Sequence, residues 1–134
     1  MVIHESAEDY LESILVLQER RGQVRSIDIV NELGYSKPSV SIAMKKLREN
    51  GYISMDRDGS ITLNESGLAI AQRIYHRHQT LSRFFVLLGV NPETASGDAC
   101  KVEHILSDET FQRICSYVER AEQTNPIGTP SSNR

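Results

Sequence analysis

In the middle of this chain an amphipathic segment is followed at once by a segment in which polar and apolar residues alternate. Residues 36–50 begin with a serine in capping position and a proline in the first turn, which predicts a helix. Residues 52–63 alternate in polarity on both sides of an Asp-Gly pair, which predicts a β-hairpin. A shorter helix is predicted over residues 27–33, with Ser26 as its cap and Gly34 as its end. Helix, turn, helix and hairpin in this order are typical of a winged helix-turn-helix.

Helical signals flank this motif on both sides. Ser6 is the predicted cap of a first helix, with Asp9 in capping-box position. A long helix is predicted over residues 65–88, with Asn64 as its cap and Gly67 as a mild cost in its first turn. Two further helical pieces are predicted over residues 99–106 and 108–122. The expected fold is therefore mainly α-helical with a small β-hairpin wing.

Composition and charge narrow the class of protein. With 134 residues, of which 39% are hydrophobic and 25% charged, the chain resembles an ordinary soluble globular protein. No run approaches the ~20 apolar residues of a membrane span, and the acidic N-terminus lacks the apolar core of a signal peptide. The two cysteines follow no disulfide-framework pattern, so the expected location is the cytoplasm. The net charge is −3, yet residues 20–63 carry eight basic and five acidic side chains, which suits this segment to phosphates.

The helix predicted over residues 36–50 has one apolar face and one face suited to DNA. With Val40, Met44 and Leu47 directed to the core, the opposite face presents hydroxyls, an apolar side chain and lysines. Such a set can contact phosphates, base edges and thymine methyls in the major groove, and an arginine at the hairpin tip would be the wing contact. The alternative is that these lysines only solvate a surface helix. The candidate DNA-contacting residues are Arg25, Ser36, Lys37, Pro38, Ser39, Ser41, Ile42, Lys45, Lys46 and Arg57.

A second pattern points to a transition metal. The run CKVEH at residues 100–104 places a thiol, a carboxyl and an imidazole at i, i+3 and i+4, which is one face of a helix. These side chains bind first-row transition metals. Asp9 and Glu12 form a similar pair in the first helix, and the long helix offers His78. Mixed oxygen, nitrogen and sulfur donors favour a divalent transition ion over calcium.

Each of these residues also has a simpler interpretation. Asp9 could be only a capping acid, and Glu12 could be a solvated surface residue. His78 could be a buried histidine that a carboxylate satisfies. Cys100 could be a small core residue, which is the interpretation favoured for Cys115.

The residues that carry both patterns resemble a known family. The segments SAEDYLESILVL, YSKPSVSIAMKKLRENGYI, LNESGLAIAQRIYHRH and ACKVEHILSDE together are similar to the diphtheria-toxin-repressor family of iron- and manganese-dependent repressors, in its short form. The resemblance covers residues 6 to about 122. It implies a winged helix-turn-helix DNA-binding domain over residues 1–63, a helical metal-binding and dimerisation domain over residues 64–124, and a disordered tail over residues 125–134. The metal ligands that it implies are Asp9, Glu12, His78, Cys100, Glu103 and His104.

The same resemblance implies the activity and the partners. Iron or manganese would favour the DNA-binding arrangement of a homodimer on operator DNA with an inverted repeat, with Co(II), Ni(II) or Zn(II) as alternatives in vitro. Iron sensors of the family have Met and Cys, and manganese sensors Asp and Glu, at the positions of Asp9 and Cys100. This chain combines Asp9 with Cys100, so the resemblance leaves Fe(II) and Mn(II) open, with Fe(II) slightly favoured by the thiolate.

Two other functions are alternatives to a metal-dependent repressor. One is a winged-helix regulator that metal does not control, in which residues 100–104 are structural. The other is a metal-dependent hydrolase, which would need an open coordination position, a water activator and a substrate pocket. No motif in the sequence supports these catalytic requirements, so no enzymatic activity is expected.

Overall fold

The computed structural model describes residues 5–124, which form six helices and one hairpin. The described chain divides into two compact units at Tyr75 and His76, inside the fourth helix. The elements in chain order are α1 (Glu5–Arg21), α2 (Ser26–Leu33), α3 (Lys37–Glu49), β1 (Ile53–Met55), β2 (Ile61–Leu63), α4 (Glu65–Leu87), α5 (Pro92–Val102) and α6 (Asp108–Thr124). The predicted mainly α-helical fold with a hairpin wing is confirmed.

The first unit packs α1, α2 and α3 with the hairpin around one apolar core. β1 and β2 are antiparallel, and Ile53 lies opposite Leu63. The Ile61 N–H donates to the Val24 carbonyl at 2.8 Å, which ties the hairpin to the segment between α1 and α2. The fully or almost fully buried core residues of this unit include Leu11, Ile14, Leu17, Val24, Ile29, Val40, Met44, Leu47, Ile53 and Ile61. The apolar faces of the three helices and the inward-facing side chains of the hairpin thus form a single core, as a winged helix-turn-helix requires.

Local signals set most of the helix ends in this unit. The Ser36 hydroxyl accepts the Ser39 N–H at 3.2 Å, as predicted for the cap of α3. Gly34 ends α2 in the left-handed region, with φ 75°. Two predicted caps are wrong. Ser6 lies inside α1, and Ser26 is the first residue of α2, where the Asp28 carboxylate accepts the Arg25 N–H at 2.9 Å.

The start of α4 shows why glycine occupies position 67. A Cβ added to Gly67 would lie 2.2 Å from the Tyr52 carbonyl oxygen, so the close approach of α4 to the hairpin needs the missing side chain. Asn64 directly precedes the first residue of α4, which is the predicted capping position. Its side-chain nitrogen donates to the Gly51 carbonyl at 3.0 Å, and its side-chain oxygen accepts from the Ser54 hydroxyl at 2.8 Å. These contacts fix the entry of α4 against the hairpin.

The second unit consists of the remainder of α4 with α5 and α6. Leu81, Ala99 and Phe111 form its buried apolar cluster. The predicted helix over residues 99–106 is wrong in its bounds, because α5 runs from Pro92 to Val102 and a turn follows it. α6 begins at Asp108 after Ser107, whose hydroxyl accepts the Thr110 N–H at 3.1 Å.

Two further sequence predictions concern the C-terminal tail and the absence of a membrane-spanning segment. The tail predicted to be disordered, residues 125–134, lies outside the described residues. Between residues 5 and 124, none of the helices combines the length and the apolar character that a membrane crossing demands.

Candidate metal centre and nucleic-acid interface

Three potential metal donors converge in the second unit. His78 Nδ1 lies 2.8 Å from Glu103 Oε1 and 3.7 Å from Cys100 Sγ. The donor atoms of these three side chains all lie within 4.8 Å of one another. An imidazole, a thiol and a carboxyl at this spacing form the kind of donor set that holds a divalent first-row metal ion.

Each donor comes from a different structural context. His78 projects from α4 and Cys100 from the last turn of α5, whereas Glu103 follows the last residue of α5. The Glu103 N–H still donates to the Ala99 carbonyl at 2.9 Å, as in a helix. Glu103 therefore projects on the same side as Cys100, three residues before it. Glu103 is fully buried, which is unusual for a carboxylate unless it is paired.

His104 departs from the predicted arrangement. The sequence predicted that Cys100, Glu103 and His104 would share one helical face, but the helix ends at Val102, so His104 lies in the turn. Its Nε2 atom lies 3.6 Å from Glu103 Oε2, so the imidazole is a further potential donor beside the second carboxylate oxygen. His104 is therefore adjacent to the donor cluster through Glu103.

A serine that the sequence interpretation did not assign to the site also contacts it. The Ser96 hydroxyl lies 3.4 Å from Nε2 of His78, on the opposite side of the ring from Glu103. Ser96 and Cys100 are four residues apart in α5, so the spacing alone could have indicated that they share a face. Ser96 thus helps to set the orientation of the imidazole ring.

The protonation of His78 reports the electrostatics of the site. Hydrogen bonds with Cys100 and then with Glu103 raise the pKa of His78 to about 10, against the opposing effect of burial. In the metal-free chain the ring therefore carries a proton at neutral pH. That proton lies where the donors favour positive charge, and metal binding requires its loss because only neutral imidazole coordinates.

His78, Cys100 and Glu103 offer donor atoms that suit a divalent transition metal ion. Glu103 Oε2 is buried and has no hydrogen-bond partner among the described residues, which leaves a carboxylate oxygen available to a cation. The set combines nitrogen, sulfur and oxygen, as expected for Fe(II), Co(II), Zn(II) or Mn(II). The other two predicted ligands, Asp9 and Glu12, lie in α1 of the first unit, where both are half-buried.

The first unit presents the predicted nucleic-acid face. Val40, Met44 and Leu47 of α3 are buried, as predicted, while the opposite side of the helix faces solvent. Ile42 is 58% exposed, which is a high value for an aliphatic side chain on an ordered helix. The exposed candidates for DNA contact are Arg25, Ser36, Lys37, Pro38, Ser39, Ser41, Ile42, Lys45, Lys46 and Arg57.

The two arginines of this face differ in their contacts. Arg25, next to the start of α2, forms an exposed ion pair of 3.4 Å with Asp58 in the hairpin turn. Arg57 lies in the same turn and is exposed. The Arg25–Asp58 pair connects the start of the second helix with the tip of the wing, although an exposed pair contributes little stability.

Two protein-family models match this chain. The family model described as the N-terminal DNA-binding domain of the iron-dependent repressor matches residues 3–61. The model described as its metal-binding and dimerisation domain matches residues 64–132. The two matches together cover nearly the whole chain.

Individual relatives point in the same direction. The chain is 36% identical over 118 residues to an uncharacterised HTH-type transcriptional regulator of Methanocaldococcus jannaschii, covering 87% of this chain and 94% of that protein. It is 34% identical over 116 residues to the transcriptional regulator MntR of Salmonella typhimurium, covering 87% and 74% of the two chains.

A solved structure extends the likeness to three dimensions. A manganese-dependent transcriptional repressor in complex with manganese matches with a TM-score of 0.78 and 30% identity, over 84% of this chain and 52% of the other. This chain therefore spans about half the length of that solved protein. Taken with the two family models, these likenesses establish that the chain belongs to the iron-dependent repressor family, whose members are transcriptional regulators.

Proposed function

We propose that this protein is a metal-dependent transcriptional repressor that binds operator DNA as a homodimer when Fe(II) or Mn(II) is bound. The observation that carries the proposal is the convergence of His78, Cys100 and Glu103 in a chain whose α3 exposes a DNA-binding face. The family models for a DNA-binding domain and for a metal-binding and dimerisation domain support both halves of this function.

The proposed ligand set extends beyond the three clustered donors. His104 is a candidate because it lies beside the second oxygen of Glu103. Asp9 and Glu12, which are carboxylates of α1, are proposed from the family resemblance. The metal would supply a divalent charge that these anionic and neutral donors share. The proposed ligands are Asp9, Glu12, His78, Cys100, Glu103 and His104.

The donor chemistry favours Fe(II) slightly over Mn(II). A cysteine thiolate is a soft ligand that prefers Fe(II), Co(II) or Zn(II), whereas the carboxylates of Asp9 and Glu12 suit Mn(II). The Cys100 Sγ atom lies 3.7 Å from His78 Nδ1, so the sulfur is close enough to bind the same metal ion as the imidazole. Fe(II) is therefore the proposed effector, and Mn(II) is the second candidate.

DNA recognition is assigned to α3 and the hairpin wing. α3 would lie in the major groove with Ile42 and Lys45 facing the bases and the backbone, while Arg57 reaches the neighbouring phosphates. Two copies would place their α3 helices about 34 Å apart on an inverted repeat. The protein would act in the cytoplasm, where operator DNA and reduced cysteine are both present.

Operator binding as a function of metal tests this function. A duplex selected from a random pool with Fe(II)-loaded or Mn(II)-loaded protein under anaerobic conditions would serve as the operator probe. Fluorescence anisotropy would then follow binding while either metal is titrated into the metal-free protein. We expect affinity to rise at least fivefold with metal. DNA binding that is equal with and without metal would instead indicate a winged-helix regulator that senses something else.

A further inference from the structure

Arg77 is a buried charge directly beside a proposed metal ligand. It lies in the middle of α4, directly before His78, and its side chain is only 2% exposed. Moving a guanidinium out of water carries a large desolvation cost, so a buried arginine persists only where its N–H groups find acceptors. The hydrogen-bond partners of Arg77 therefore show which segment of the chain its side chain stabilises.

All the described polar partners of Arg77 lie at or just beyond the end of α5. Nη1 donates to the Glu103 carbonyl at 3.1 Å and to the Leu106 carbonyl at 2.7 Å. Nη2 donates to the Asp108 carboxylate at 2.6 Å, and the guanidinium lies 5.0 Å from the centre of the Phe111 ring. One planar side chain thus fastens the whole connection between α5 and α6.

This connection carries two of the proposed ligands. Glu103 and His104 lie in a turn, where the hydrogen bonds of a helix no longer fix the main chain. The guanidinium replaces those bonds by holding the carbonyl of Glu103 itself. Because successive residues of a helix point about 100° apart, α4 can direct His78 to the donor cluster and Arg77 to the turn behind it.

We propose that Arg77 is a positioning residue for the metal centre. It holds the α5–α6 connection, which carries Glu103 and His104, so that both side chains would already be in place to bind a metal ion. Groups that orient metal ligands typically contribute 10- to 100-fold to metal affinity. The proposal rests on the proposed function only in requiring that this cluster binds a divalent metal.

Cobalt binding by the full chain provides the test. Co(II) reports ligation by its absorption, since a thiolate gives a charge-transfer band and the visible bands respond to the other donors. We expect R77Q to bind Co(II) 10- to 100-fold more weakly than the unaltered chain. We expect R77K to recover only part of this loss, because lysine lacks the planar fork that reaches several acceptors. In both variants the thiolate band of Cys100 persists while the visible bands change.

A variant in the core of the same unit separates positioning from loss of fold. Val118 is buried in α6 of the same unit, so V118A destabilises the unit without altering the α5–α6 connection. We expect V118A to keep the affinity and the spectrum for Co(II) at the same degree of folding. Equal losses in V118A and R77Q would overturn the proposal, and so would unchanged Co(II) affinity and spectrum in R77Q.

An exposed partner keeps the test valid if both Arg77 variants unfold. Asp108 is 83% exposed, so D108A removes one anchor of the guanidinium with little effect on the core. We expect D108A to weaken Co(II) about three- to tenfold, whereas E109A, which removes the neighbouring exposed acid, leaves it unchanged. Equal affinities for D108A and E109A would overturn the proposal. A failure of the unaltered chain to bind Co(II) would contradict the proposed function instead.

Discussion

His78 Nδ1 lies 2.8 Å from Glu103 Oε1, although 25 residues separate the two in the chain. The contact joins the middle of α4 to the end of α5, and Cys100 completes the group from the preceding turn. In the metal-free chain a proton on the imidazole is the cation between these donors. A metal ion would compete for the same place, which links the chemistry of the site to pH.

The first prediction concerns the protonation of His78. Because its pKa rises to about 10 from the ordinary 6.5, the proton stabilises the folded metal-free chain. This contribution is fully present below about pH 6.5 and is lost as pH rises towards 10. The free energy of unfolding, measured by urea at a series of pH values, should therefore decline over this range. The variant H78Q should lack that part of the decline, and identical pH profiles for the two chains would contradict the assignment.

A second prediction concerns the thiol of the cluster. C100S should weaken Co(II) or Fe(II) binding at least tenfold and Mn(II) binding less, because serine replaces a soft donor by a hard one. Competition with a chromophoric chelator under anaerobic conditions measures both affinities. C115S is the matched control, since the half-buried Cys115 lies outside the described donor clusters. If C100S and C115S changed the affinities equally, Cys100 would not be a ligand.

Gly67 allows a prediction about the fold. G67A should lower the free energy of unfolding by about 1–3 kcal/mol, since its Cβ would overlap the Tyr52 carbonyl and force the backbone to shift. Gly97 in α5 provides a control, because a Cβ added there meets nothing within 4 Å. G97A should be neutral or stabilising by up to about 1 kcal/mol. Urea unfolding of the two variants decides, and equal effects would refute the close approach.

The proposed DNA face gives a fourth prediction. K45A should weaken operator binding and reduce the slope of log affinity against log salt by about one, if Lys45 neutralises one phosphate. Anisotropy at several salt concentrations measures both quantities. K101A removes an exposed lysine from α5 in the second unit and should change neither. A salt slope that K45A and K101A alter equally would exclude a specific role for α3.

Local signals in the sequence predicted most of the first unit. The Ser36 cap, the Gly34 end and the Asp-Gly hairpin each depend on a few neighbouring residues, and all three are confirmed. Gly67 was expected to cost stability, whereas its purpose is the approach of Tyr52, which is distant in sequence. Such long-range contacts leave no trace in local periodicity.

The same distinction applies to the metal centre. Residue types and spacing, with the family resemblance, indicated His78, Cys100 and Glu103, and these three converge. The helix predicted over residues 99–106 ends earlier, at Val102, and the carbonyls of Glu103 and Leu106 beyond it accept from Arg77, more than 25 residues away. The spacing of residues along a helix contains no information about such a distant partner. The position at which α5 ends could therefore not be predicted from the sequence.

Metal control of repression requires that metal binding and DNA binding are coupled, and such coupling is reciprocal. The affinity of the chain for Mn(II) should be measured calorimetrically with and without saturating selected operator DNA. We predict that DNA tightens Mn(II) binding by the factor by which Mn(II) tightens DNA binding, about 5- to 150-fold. Equal Mn(II) affinities in the two titrations would contradict metal control of repression.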